Sequence, residues 1–235
     1  MPATQESFAQ NNLLAALAKP DLELLKSKLE WIDLAMGDVL YEAHKQVEYA
    51  YFPISGICSV IAQNAQGVQI ETGLIGREGF VGITIIHYAD SAPSQVVVQA
   101  GGRAVRISRK KLLNAISKSQ SLSAKLLRFA HTFNVQVSQT ALSNGHFTIN
   151  ERLARWLLMC QDRVDSNEFP MTHKFLAIML AVRRAGITNS LNFLEGKKAI
   201  RALRGRIVIL NRACLEEIAD GAYGVPEKEY KRLIS

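Results

Sequence analysis

The segment THKFLAIMLAVRRAGITNSLNFLE, residues 172–195, decides how the chain is read. Thr172 stands where a helix N-cap belongs, just after the break at Pro170. Phe175, Leu176, Met179 and Leu180 then share one face of a helix. Ala181-Val182 makes a short turn, and Arg183–Glu195 reads as a second helix with Ile187, Leu191 and Leu194 facing inward. Its outward face carries Arg183, Arg184, Thr188, Asn189 and Asn192, side chains able to reach base edges and phosphates. Two short helices spaced in this way outline a helix-turn-helix, although many helical pairs share that outline.

The flanking sequence sharpens it. Downstream, Ala199–Leu203 and Arg206–Leu210 read as two strands around an Arg204-Gly205 turn, a basic hairpin of the kind that rests on a DNA backbone as a wing. A hairpin that only completed a core would not need Arg201, Arg204 and Arg206 near its tip. From Lys174 to Arg212 there are nine basic residues and one acid, Glu195, a local charge of +8. The whole chain carries +7, so everything else sums to −1. An excess held in so short a stretch points to phosphate binding. Thr172, Lys174, Arg183, Arg184, Thr188, Asn189, Arg201, Arg204 and Arg206 are the expected DNA contacts.

Upstream the texture is different. Short apolar or alternating runs cover Val39–Tyr41, Tyr49–Phe52, Ile57–Ala62, Val68–Ile75, Val96–Ala100 and Ala104–Ile107, divided by turn signals such as Gly37-Asp38 and Gly101-Gly102. That spacing predicts an antiparallel sandwich or jelly roll. Asn12–Ala18, Pro20–Lys28 and Lys110–Ile116 read as short helices. A long helix follows over Leu122–Leu142, with Ser143-Asn144-Gly145 expected to break it and Thr148 or Asn150 to cap the next, Glu151–Val164. Along the long helix, Leu122, Leu126, Phe129, Phe133, Gln136 and Thr140 recur at steps of four and three, with Val137 beside them. Such a stripe can pack on the chain's own strands or form a dimer seam. The polar residues around it favour the seam, so Leu122, Leu126, Phe129, Phe133 and Val137 are the expected dimer contacts.

Composition narrows the classes further. Hydrophobic residues make up 48% and charged residues 21% of 235, ordinary for a globular protein. Met1–Asn12 is polar, nothing resembles a signal peptide and no apolar run approaches membrane-spanning length, so a cytoplasmic protein without a membrane partner is expected. Cys58, Cys160 and Cys214 are far apart with no C-x-x-C pair, and His44, His87, His131, His146 and His173 are scattered. No metal site or cofactor is predicted. An enzyme on a cupin-like barrel would need converging histidines, and the β-rich half offers only His44 and His87.

With these motifs in place, the chain resembles the cyclic-AMP receptor protein / fumarate–nitrate regulator (CRP/FNR) superfamily over nearly its whole length. Gly37-Asp38-Val39-Leu40-Tyr41, Tyr51-Phe52-Pro53-Ile54-Ser55-Gly56 and Glu78-Gly79-Phe80-Val81-Gly82 are similar to the family's early strands and glycine turn. Glu151-Arg152-Leu153-Ala154-Arg155-Trp156-Leu157-Leu158 precedes the helix-turn-helix as the family pattern has it. Met179–Thr188 resembles a variant recognition helix of one branch. The resemblance implies an α+β chain: a cyclic-nucleotide-binding-like jelly roll (1–120), a dimerisation helix and hinge (121–149) and a winged helix-turn-helix (150–235). It also implies a homodimeric transcription regulator that binds double-stranded DNA, with RNA polymerase as a further partner. The alternative is a small-molecule-binding module, cyclic nucleotides included, with a vestigial DNA-binding half.

Two departures qualify the resemblance. Ala185 and Asn189 stand where the usual recognition helix has a base-reading glutamate and arginine, so the usual operator is not expected. Gly82, Ile83, Pro93 and Ser94 occupy the effector pocket's place. Ile83 and Pro93 replace the glutamate and arginine that hold ribose and cyclic phosphate, and only Arg77, Arg103 or Arg106 could substitute. A buried phosphate without a cation is costly. The effector is therefore unknown and is expected not to be cyclic AMP bound in the usual way.

Overall fold

The computed structural model describes residues 8–164 and 166–234, apart from the side chain of Lys174. Two short helices, α1 (Asn12–Ala15) and α2 (Lys19–Lys26), precede a β-rich body. Its strands are β1 (Glu30–Leu34), β2 (Val39–Tyr41), β3 (Tyr49–Pro53), β4 (Ile57–Gln63), β5 (Gln69–Ile75), β6 (Ser94–Ala100) and β7 (Gly102–Ser108), with helix α3 (Ile83–Ile86) between β5 and β6. They form two antiparallel sheets, ordered β1-β7-β3 and β2-β6-β4-β5. Phe52, Val105 and Ile107 from the first sheet meet Cys58, Val60, Val96 and Val98 from the second in one core.

Strand β4 shows why this half reads as apolar runs rather than clean alternation. Cys58 and Val60 face the sandwich core, while Ile57 and Ile61 belong to a second core shared with the C-terminal half. With both faces covered, nothing selects polar residues at every other position.

Helix α4 (Arg109–Ile116) leads into α5 (Gln120–His146), 27 residues long and thus about 40 Å. Ser119 caps it by accepting from the Leu122 N–H at 3.1 Å. The expected break at Ser143-Asn144-Gly145 does not occur. The helix runs on to His146, nothing crowds the position of a Gly145 Cβ, and the chain turns extended only at Phe147. Helix α5 lies against the β5 edge, where Gln136 replaces a missing strand. Its Nε2 donates to the Leu74 carbonyl and its Oε1 accepts from the Leu74 N–H. Gly79 lets the helix approach: a Cβ there would lie 1.9 Å from the Phe129 ring.

Helix α6 (Ile149–Gln161) opens with a capping box. The Thr148 hydroxyl accepts from the Glu151 N–H, and the Glu151 carboxylate accepts from the Thr148 N–H. There follow β8 (Glu168–Pro170), α7 (His173–Met179), α8 (Arg184–Gly196), β9 (Ile200–Leu203), β10 (Arg206–Ile209), α9 (Arg212–Ala219) and α10 (Val225–Ile234). Strands β8, β10 and β9 form a small antiparallel sheet.

The last helix departs from the expected 150–235 unit. Helix α10 returns to α5, where Ile234 enters the core of the β-rich half and accepts from Lys125 Nζ through its carbonyl. Tyr230 OH donates to the Glu78 carbonyl at 2.7 Å. Residues 225–234 therefore pack with the β-rich half. Strands β1 and β8 and helices α3, α9 and α10 had no expected counterpart. Among the described residues no helix is long and apolar enough to cross a membrane.

Candidate DNA-reading surface and sensor cavity

Thr172 caps α7, its hydroxyl accepting from the Phe175 N–H at 3.2 Å. Leu176, Met179 and Leu180 are buried, as are Ile187, Leu191 and Leu194 of α8. Ala181, at φ +49°, makes the turn between them. Arg152 of α6 holds that turn by donating to the Leu180 carbonyl. Arg183 is the N-cap residue of α8 rather than its first helical residue. Arg183, Arg184, Ala185, Thr188, Asn189 and Asn192 are all exposed.

The wing turn at Arg204-Gly205 joins β9 and β10, with Gly205 at φ +76°. Arg201 and Arg204 are exposed and meet no carboxylate among the described residues. Arg206 differs, because Glu168 of β8 accepts from its Nη1 at 2.9 Å. Glu195, the lone acid of the basic segment, is structural: its carboxylate accepts from the Ala202 N–H at 2.7 Å and ties the end of α8 to the wing. The Lys174 side chain lies outside the described residues. One contact had no expectation behind it: His173 Nδ1 lies 3.2 Å from Thr188 Oγ1, joining the two helices on their exposed side.

A cavity of about 570 Å³ opens between the β-rich body and α5. Of the four expected effector residues it is lined by Gly82, Ile83 and Ser94, and Pro93 is not among its walls. Gly82, at φ +102°, allows the chain to turn into α3 there. Tyr41, Thr84, His87, His131 and Asn134 supply the other polar groups, and among the described residues no lysine or arginine lines the cavity. Burial pushes the Tyr41 hydroxyl up to about 12 despite Ser94 and Thr84 beside it. The three arginines that could have substituted for a phosphate cation lie elsewhere. Arg77 and Arg103 line a separate hollow with Ser55. Arg106 stacks over Tyr49 and pairs with Glu30.

The residues expected at a dimer seam lie in two places. Leu122, Leu126 and Phe129 are buried in the chain's own core and are closed to a partner. Phe133 and Val137 line the cavity. The apolar stripe was real, but the β-rich body and α10 cover it. Leu127, 46% exposed, stands on a neighbouring stripe with His131, Asn134, Ser138 and Ala141, all exposed and again at steps of four and three.

Three further polar contacts among the described residues join the two halves. Trp156 Nε1 of α6 donates to Glu71 Oε1 of β5 at 2.7 Å in a buried setting. Arg163 Nε donates to Glu78 Oε1 at 2.8 Å, and both side chains are largely buried. The Gln99 amide approaches Cys160 Sγ at 3.6 Å. Burial pushes the Glu71 carboxyl up to about 7, with Ser59, Trp156 and the Arg155 and Arg163 guanidinium groups pulling the other way. Burial likewise lowers Arg155 to about 10. For Arg163, burial opposes the charge, but Glu78, Glu227 and Asp162 outweigh it and the pKa is raised. Cys58 and Cys160 are buried like small apolar residues, and Cys214 is partly exposed.

A β-sandwich joined through a long helix to a winged helix-turn-helix is the build of a two-part transcription regulator. Residues 31–119 match the cyclic nucleotide-binding domain and residues 151–218 the Crp-like helix-turn-helix domain. The chain belongs to the CRP/FNR superfamily of transcription regulators. Among solved structures it is similar to a putative CRP/FNR-family regulator from Eubacterium rectale (16% identity, TM-score 0.69, covering 90% of this chain and 99% of that one). It is also similar to FixK2 from Bradyrhizobium japonicum (16%, 0.70, 81% and 96%). A third is the c-di-GMP-responsive global regulator CLP of Xanthomonas campestris (15%, 0.65, 82% and 99%). At these identities the likeness is one of fold. No curated protein sequence gives a significant match.

Proposed function

We propose that the chain acts as a homodimer that reads a near-palindromic DNA site through α8, gated by an effector other than cyclic AMP in its usual pose. The observation that carries this reading is the row of exposed guanidinium groups at Arg183, Arg184, Arg201 and Arg204, none paired with a carboxylate among the described residues. Unpaired arginines on a recognition helix and its wing are suited to base edges and phosphates. Two copies of α8 entering successive major grooves would span about 34 Å, one turn of duplex. Acting on DNA places the protein in the cytoplasm, with RNA polymerase as its natural further partner.

The test is quantitative binding to a site selected from the host genome. Arg184→Ala should weaken binding by roughly 5- to 150-fold, the ~1–3 kcal/mol of a base contact, and relax preference at one position. Unchanged affinity and preference would remove α8 as the reading helix.

For the dimer, the exposed stripe through Leu127 is the surface offered to a second copy, beside the mouth of the sensor cavity. Leu127→Glu should yield monomers in sedimentation and lose affinity for the two-fold site. A monomeric wild-type protein that binds such sites fully would refute the seam. For the effector, a cyclic nucleotide brings a phosphate into a cavity without a lysine or arginine, and the cyclic dinucleotide that CLP answers to would bring two. An uncharged or weakly charged ligand of mixed apolar and hydroxyl character fits these walls better.

A further inference from the structure

Just after Arg184, the outward face of α8 carries two methyl-bearing side chains. Ala185 and Thr188, three residues apart, are both exposed and neighbours on the helix surface. The Thr188 hydroxyl donates to the Arg184 carbonyl at 3.2 Å, which can only accept, so its hydrogen is spent within the helix. His173 Nδ1 stands 3.2 Å from the same oxygen. With the hydrogen on Nδ1 the Thr188 oxygen accepts from the imidazole, and in the other tautomer Nδ1 is a second acceptor for the hydroxyl hydrogen, so in either form the hydroxyl is engaged within the protein. A hydroxyl held from both sides cannot donate to guanine O6 or N7, adenine N7 or thymine O4, the acceptors of the major groove. What Thr188 leaves for the groove is its γ-methyl group, and Ala185 offers only its β-methyl.

Building on the assignment of α8 as the reading helix, we propose that Ala185 and Thr188 form an apolar patch that recognises the C5-methyl groups of thymines in the major groove. Thymine is the base that presents a methyl there, and apolar contact is how alanine and threonine methyls read it. His173 is then a positioning residue. It approaches Thr188 from α7 and keeps the hydroxyl turned away from the bases.

The test uses the full-length protein and a synthetic duplex carrying its preferred site, selected from a random pool. Each thymidine is replaced in turn by deoxyuridine, which removes the methyl group and leaves pairing intact. One or two positions in each half-site should lose affinity by about fourfold each, the ratio given by ~0.8 kcal/mol per buried carbon group. Thr188→Ser, which removes the methyl and keeps the hydroxyl, should abolish the deoxyuridine penalty at one of these positions. Thr188→Val, which keeps a methyl and removes the hydroxyl, should retain that penalty.

Silence at every deoxyuridine position would overturn the proposal, as would a penalty that survives Thr188→Ser and vanishes with Thr188→Val. Arg184→Ala on the unmodified site separates the two levels. If it weakens binding while deoxyuridine is silent, α8 reads DNA but not through methyl groups. If both are silent, α8 is not the reading helix and the proposal falls with it.

Discussion

Replacing Glu71 by glutamine should make the protein more stable at alkaline pH and leave it unchanged in mild acid. The Glu71 side chain is buried between β5 and α6, where Oε1 accepts from Trp156 and Oε2 has no hydrogen-bond partner. An ionised carboxylate with a dry, unsatisfied oxygen is penalised, and burial raises the pKa from 4.5 to about 7. The folded state therefore holds a proton that the unfolded chain releases above pH 4.5. Stability is fully present below that value and falls as pH rises through about 7. The gap of some 2.5 units, at 1.36 kcal/mol each, is worth about 3 kcal/mol once both states are ionised. Glutamine keeps an oxygen for the indole N–H and cannot ionise. Urea unfolding at pH 4 and pH 8, followed by far-ultraviolet circular dichroism, measures the effect. The wild type should lose stability relative to Glu71→Gln by about 3 kcal/mol between the two conditions. Parallel curves at both pH values would mean that Glu71 is not buried in the folded protein as described.

Other substitutions probe the same seam and the reading unit. Arg163→Met leaves the Glu78 carboxylate buried without its partner and should cost about 3–5 kcal/mol in urea unfolding, part of it recovered by adding Glu78→Gln. Removal of the cap in Thr172→Ala should cost about 1 kcal/mol, seen as a lower unfolding midpoint, and should weaken DNA binding by loosening the start of α7.

The helix-turn-helix and wing were legible because their signals are local. The N-cap at Thr172, the spacing of Leu176, Met179, Ile187 and Leu191, and the arginines around Gly205 each depend on neighbours within a few residues. Six strands of the sensor were readable for the same reason. β8 escaped notice because it has three residues and ends in proline, and its pairing with β10 reaches across 36 to 40 residues. The expected helix break at Ser143-Asn144-Gly145 failed because weak helix formers raise the cost of a helix without forbidding it.

The long helix marks the boundary between the two kinds of knowledge. Its sequence determined that Leu122, Leu126 and Phe129 form an apolar stripe, since periodicity reports which side chains share a face. Which surface covers that stripe is a matter of what folds back onto it, and the β-rich body and α10 arrive from distant parts of the chain. The buried acids tell the same story. Nothing in the sequence around Glu71 and Glu78 marks them as buried, and their partners Trp156 and Arg163 are each 85 residues away. Sequence alone determined the elements and the basic face, because backbone propensity and side-chain charge are local properties. Burial, pairing and the shape of the sensor cavity were decided only in the tertiary structure, because each depends on contacts between residues far apart in the chain.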